Sequence, residues 1–232
     1  MLYPLGEVLI LIFGILIALQ VNNWNDERQN NEIEITILKT FKSDLKADMN
    51  EWLDYDIPLH DTVMLSIHIL LDHMENDLPY HDSLNYHFLT ATLNTHFTPR
   101  LGAFETLKST GVNIIRNDSL RDQIISLYTF RFDFKKYLTR HMNALQTYGE
   151  ESIFNTRFDQ AEKFDDYTTA KGWDGAMIPL DFEGLKKDNE YLYFLRTYKN
   201  ATRFYRDQLH ETHHKAVILI NKINDELQIL EN

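Results

Sequence analysis

The chain of 232 residues contains no cysteine. That absence excludes disulfides, thiolate metal sites and cysteine nucleophiles, but it does not assign a compartment, because oxidising spaces permit disulfides without requiring them. Glycine and proline are scarce, at 8 and 5, while 44% of the residues are hydrophobic. A chain so poor in helix breakers and so rich in apolar residues reads as folded and mostly helical. Basic side chains are also short, 23 against 35 acidic, for a formal charge of -12. Nucleic acid is therefore not an expected partner, since phosphate contacts need a basic surface. The sequence has no glycine-rich phosphate loop, no tandem repeat and no glycine elbow around any serine, so it lacks the signatures of P-loop and serine-hydrolase chemistry.

Near the front, by contrast, lies an uninterrupted apolar run, VLILIFGILIAL, from Val8 to Leu19. The looser segment Leu2 to Val21 is 20 residues, about the length that crosses a bilayer at 1.5 Å per residue. Residues 1–24 are thus expected to form a transmembrane anchor with the lipid bilayer as a partner. Trp24 and the polar Asn22 and Asn23 would meet the headgroups, and Gly14 and Ala18 would offer a small-xxx-small helix contact. Glu7 would sit at the interface or pair with a partner helix. No Lys or Arg precedes the run and no small-x-small site follows it, so a cleaved leader is not expected.

Beyond Trp24, the periodicity of Ile35, Leu38, Phe41, Leu45, Met49 and Trp52 predicts one amphipathic helix running as a stalk to about Leu53, ended by Asp56-Ile57-Pro58. Asp61 would cap the next helix. Further helices are expected over 82–97, over Ala103 to Gly111 with the glycine as its stop, and from Asn117 to Tyr148 with a stripe of Leu120, Ile124, Leu127, Phe130 or Phe134, Tyr137 and His141. Residues 165–187 read as an irregular region. The last helix carries two seven-residue series, Leu195, Thr202, Leu209, Ala216, Ile223, Leu230 and Tyr198, Tyr205, Thr212, Leu219, Glu226. The expected fold is all-α: a transmembrane helix continuing into a stalk and an elongated antiparallel helical bundle over residues 25–232.

On that last helix, His210-Glu211-Thr212-His213-His214 fits H-E-x-x-H, in which two histidines one turn apart hold zinc and the glutamate polarises its water. The metal reading would make His210 and His214 ligands and Glu211 the catalytic base of a zinc hydrolase. Its weakness is facing. With Leu209 and Thr212 on the buried seam, both histidines point outward, and the downstream acids Asp225, Glu226 and Glu231 share the same helix. No cofactor is expected.

Two stretches carry a resemblance. The opening LYPLGEVLILIFGILIALQVNNWNDERQ and the later AFETLKSTGVNIIRNDSLRDQIISLY are similar to a large family of uncharacterised, membrane-anchored proteins from Bacteroidota. Members show an I-G-E-I start, a G-I-L-I-A-L-Q-I-N-N-W-N core and a Y/F-E-x-L-K-x-S-G segment. The matching positions here are Gly6, Glu7, Gly14, Gln20, Asn22, Asn23, Trp24 and Asn25, then Glu105, Leu107, Lys108 and Gly111, with Thr110 interposed between Ser109 and Gly111. The resemblance implies a single-pass protein of the inner membrane with its bundle in the periplasm, and it implies no activity. The expected role is that of a scaffold or adaptor acting by helix contacts with a second copy or with another membrane or envelope protein. A ligand-sensing envelope module is the further alternative.

Overall fold

The computed structural model describes residues 3–161 and 176–231 of the chain, and among these the side chains of residues 11–159 and 176–231. The elements are α1 (Tyr3–Glu51), α2 (Ile57–Glu75), α3 (Leu84–Thr90), α4 (Gly102–Thr110), α5 (Asp118–Ile125), α6 (Phe132–Tyr148), the single turn α7 (Asn155–Arg157), α8 (Phe182–Leu185) and α9 (Asn189–Leu230). Two short strands, β1 (Phe158–Ala161) and β2 (Ala176–Pro179), pair antiparallel with Phe158 opposite Pro179. Strand β2 and helix α8 take up part of the expected irregular region 165–187, of which residues 165–175 lie outside those described, together with Trp173.

The expected transmembrane helix does not survive. Among the described residues, no helix is long and apolar enough to cross a membrane. The apolar run ends at Leu19. Gln20, Asn22, Asn23, Asn25, Asp26, Glu27 and Arg28 then follow on the same unbroken helix α1. The Glu7 side chain lies outside the described residues. What stands is the all-α helical architecture.

Among the described residues, three π-helical turns interrupt the helices, at Trp52–Asp56, Ser126–Arg131 and Gly149–Phe154. The first leads from α1 directly into α2, so Pro58 does not stop a helix as expected. It sits at the start of α2 directly after the π turn, and the helix continues through it. Asp61 accordingly lies inside α2 rather than capping it. The second π turn shifts a helical face. The stripe expected after Leu127 leaves Phe130 and Tyr137 exposed, and the buried positions are Tyr128, Phe132, Lys135, Leu138, Thr139 and Met142. One extra residue per turn rotates everything beyond it by about 100°, which moves the buried set along by one position. The helix expected over 82–97 is only the seven residues of α3, after which the chain runs non-helical to Leu101.

Helix α9 follows its heptad closely. Every member of the two seven-residue series is buried except Leu230. Gly111 ends α4 at φ 106° and ψ 126°, a region that favours glycine.

The chain divides into two compact units. The first comprises Met1–Lys46, Arg100–Ile125 and Val217–Asn232. Its core takes Leu38, Phe41 and Leu45 from α1, Leu107 from α4, Ile124 from α5 and Ile223 from α9. It also buries Glu34, which accepts hydrogen bonds from Arg116 Nε at 2.7 Å and from the Arg116 backbone at 3.0 Å. The second unit comprises Ala47–Pro99 and Ser126–Ala216. Its core is aromatic: Trp52 stacks on Phe97 at 5.7 Å and meets Phe132 edge-on at 6.1 Å, while Phe154, Phe158, Tyr191 and Phe194 form a further group.

Candidate functional site

Among the sequence-derived candidates, the HETHH stretch lies across the buried and exposed faces of α9. Helix α9 buries Leu209, Thr212 and Ala216 and exposes His210 and His214. Glu211, the would-be base, instead accepts from Arg131 Nη2 at 3.2 Å and pairs with Lys215 Nζ at 3.8 Å. Glu226 accepts a 2.6 Å hydrogen bond from Asn117, and Glu231 pairs with Lys39 at 2.7 Å. Among the described residues, no group of three or more metal-ligating side chains is placed to hold an ion. Partial burial and the two neighbouring histidines hold His213 below its ordinary pKa.

The family-type residues of α4 form a small structural unit. Leu107 is buried, Lys108 pairs with Glu105 at 2.7 Å, the Lys108 ammonium lies 5.3 Å from the Phe104 ring centre, and Gly111 supplies the positive φ that stops the helix. None of these geometries requires a reaction. Packing and capping describe them fully.

The stretch of α1 from Leu11 to Leu19 is different, because it is apolar on all sides and covered on none. Leu11, Phe13, Ile17, Val21 and Trp24 are 66%, 62%, 61%, 59% and 66% exposed. A Cβ built on Gly14 would meet nothing within 4 Å, so a neighbouring backbone has open access there, with Ala18 one turn on. Asn22 donates to Asp26 at 3.1 Å along the same helix, and Asn23 is exposed. Further along α1 in the first unit, Gln29, Glu32, Ile33, Thr36, Ile37 and, from α4, Thr106 line a shallow groove.

The second unit holds a buried polar cluster that the sequence did not reveal. Asp56 ends the first π turn, and both it and His60 of α2 reach Thr95, whose hydroxyl lies 3.1 Å from His60 Nε2. The His60 ring sits 4.9 Å from the ring of Tyr205, whose hydroxyl lies 3.0 Å from Thr139 Oγ1. Lys135 of α6 brings its ammonium to 5.8 Å from the Tyr205 ring centre. Burial pushes Asp56 up to about 6, against the opposing hydrogen bond from Thr95. Burial likewise pushes His60 down to about 4, Lys135 down to about 7 and Tyr205 up to about 12. In each case the charged form loses more hydration than its neighbours restore. The one signal in the sequence was Lys135 at helical spacing from Phe132 and Met142, and it becomes readable only once the π turn has set the phase.

The chain belongs to the DUF6090 family, a family of unknown function whose model matches residues 7–158. No curated protein and no solved structure matches it.

Proposed function

We propose that this DUF6090 member works through helix-mediated protein–protein contacts, as a scaffold or adaptor, with the stretch Leu11 to Trp24 of α1 as the contact element. One observation carries the reading: from Leu11 to Trp24 the helix exposes large apolar side chains around its whole circumference. An isolated exposed leucine needs no explanation, whereas a contiguous apolar surface of this kind is costly to leave in water and marks a place where something binds. The occupant assigned here is a second copy of the chain. Like helices can pack side by side where Gly14 and Ala18 let backbones approach, and burial of Leu, Ile and Phe side chains supplies the driving force. The ion pairs of Glu211 with Arg131 and Lys215 lend the zinc-hydrolase reading no support.

Analytical ultracentrifugation of the full chain tests the proposal. The wild-type chain should sediment as an oligomer at micromolar concentration, and the double variant Phe13→Glu, Ile17→Glu as a monomer. A wild-type monomer, or flotation with lipid vesicles in place of self-association, would overturn it. Crosslinking in cells followed by mass spectrometry then asks whether other proteins share the same surface.

A further inference from the structure

The cluster around Tyr205 plays no part in the contact element on α1, yet it places a basic side chain in the core with no hydrogen-bond partner for its ammonium among the described residues. Lys135 is 1% exposed and its Nζ has no hydrogen-bond partner among the described residues. Its close neighbour is the face of the Tyr205 ring, and on the other side of the cluster His60 Nδ1 is likewise without a partner. An ammonium held this way loses its hydration and gains only a cation–π contact in return.

We propose that Lys135 is a proton-operated element of the second unit: protonated, its ammonium is stranded in the core and the helices around Tyr205 loosen; unprotonated, they close. The charged and titratable groups facing the cluster are spoken for. Arg131, at the end of the second π turn, is paired with Glu211 of α9, and Asp61 of α2 is paired with Arg206 of α9 at 2.6 Å. Glu51 and Asp56 face it from the end of α1 and the first π turn, and Thr95 and Thr139 contribute only hydroxyls. The glutamate that raises the affinity of Lys135 for its proton is outweighed by burial and by Arg131.

The sign follows from linkage. Lys135 titrates near 7 when folded and at 10.5 in the unfolded chain. Between those values the unfolded chain holds a proton that the folded chain does not, so stability rises with pH there, and below 7 the full penalty is present. His60, near 4 folded and 6.5 unfolded, adds stability as pH rises through its window. Asp56, near 6 folded and 3.8 unfolded, removes stability through an overlapping one. These two oppose each other below pH 7, which leaves Lys135 to shape the profile above it. Tyr205 enters only from pH 10 upward.

Urea unfolding of the full chain, followed by Trp52 emission in a background carrying Trp24→Phe and Trp173→Phe, reads the effect. From pH 7 to 9.5 the folding equilibrium constant should rise by a factor approaching tenfold per pH step, the limit for one proton. Lys135→Met, which keeps the length and removes the charge, should flatten that rise and exceed the parent chain in stability at pH 7. A variant with an unchanged slope would overturn the proposal. Should the variant not fold, the parent chain labelled with 13C at the lysine ε-carbons gives the answer directly. One lysine signal should titrate between pH 6 and 8, and titration of every lysine above pH 9.5 would sink the idea.

Discussion

Each unit buries a charged side chain, and the surroundings of the two differ. In the first unit, Glu34 is fully buried and accepts both a guanidinium N–H and a backbone N–H from Arg116. In the second, Lys135 is just as deeply placed and its ammonium has only an aromatic face nearby. A buried charge that is paired and hydrogen-bonded fixes the segments that carry its partners. A buried charge that is not so paired changes its protonation state instead. The same burial therefore gives a fixed strut in one unit and a titrating group in the other.

The largest effect should come from breaking the strut. Arg116→Met leaves Glu34 with the backbone donor alone, and unfolding of the first unit should require about 3 kcal/mol less, toward the lower end for a broken buried pair because Arg116 is 53% exposed. Denaturant unfolding followed by hydrogen exchange in α4 and α5 measures it. A loss under about 1 kcal/mol would class Glu34 with the exposed ion pairs of the surface.

Asp56 sharpens the other side of the comparison. Its raised folded pKa means that the folded chain holds a proton between 3.8 and about 6 that the unfolded chain has released, so its contribution to stability is lost as pH rises through that window. Asp56→Asn, which removes the charge and keeps an oxygen for Thr95, should be neutral near pH 4 and stabilising by about 1–2 kcal/mol at pH 8. Urea midpoints at the two pH values decide it, and a variant destabilised equally at both would show that the carboxylate is needed for its hydrogen bond rather than penalised for its charge.

How far the fold was legible depended on whether the helical phase ran unbroken. Helix α9 keeps one phase for 42 residues, and its buried series could be read directly from the seven-residue spacing. Gly111 was legible for a local reason, since an apolar helix followed by a lone glycine has few ways to end. The stripe after Leu127 was misread because a π turn adds a residue that no periodic pattern announces, and the same event put Lys135 on the buried face, off the stripe that the spacing predicts. The site around Tyr205 depended on tertiary proximity, with Asp56, Thr95, Thr139 and Tyr205 coming from four separate stretches. The apolar run at the front was legible as unusual, but its length in the sequence suggested a span that α1 does not provide among the described residues.

A local backbone test sits between these charge effects and the surface. Gly111 in the first unit holds φ 106°, and an added Cβ would meet nothing within 4 Å. Gly111→Ala therefore isolates the conformational cost from any clash, and should destabilise by about 1 kcal/mol in the same unfolding experiment. Gly111→Asn should lose about as much, because φ 106° with ψ 126° lies outside the left-handed helical region that asparagine tolerates, and a full recovery by asparagine would show that the backbone conformation is not the source.

The smallest effect is expected where the sequence looked most like a reaction centre. His210 and His214 project from α9 into water, one turn apart, while the residues between and beside them that carry packing are Leu209, Thr212 and Ala216. Surface substitutions away from caps, cavities and buried networks change stability by less than about 0.5 kcal/mol. The double variant His210→Ala, His214→Ala should therefore unfold with the parent chain at pH 7. Removing like-charged neighbours should also let His213 titrate closer to its ordinary value, since both histidines contribute to holding it down. A proton NMR titration of the His213 ring reads that shift. A double variant that lost more than 1 kcal/mol would instead place the pair among the groups that hold the helix in position, and would end the contrast between an exposed face and a buried seam one residue apart.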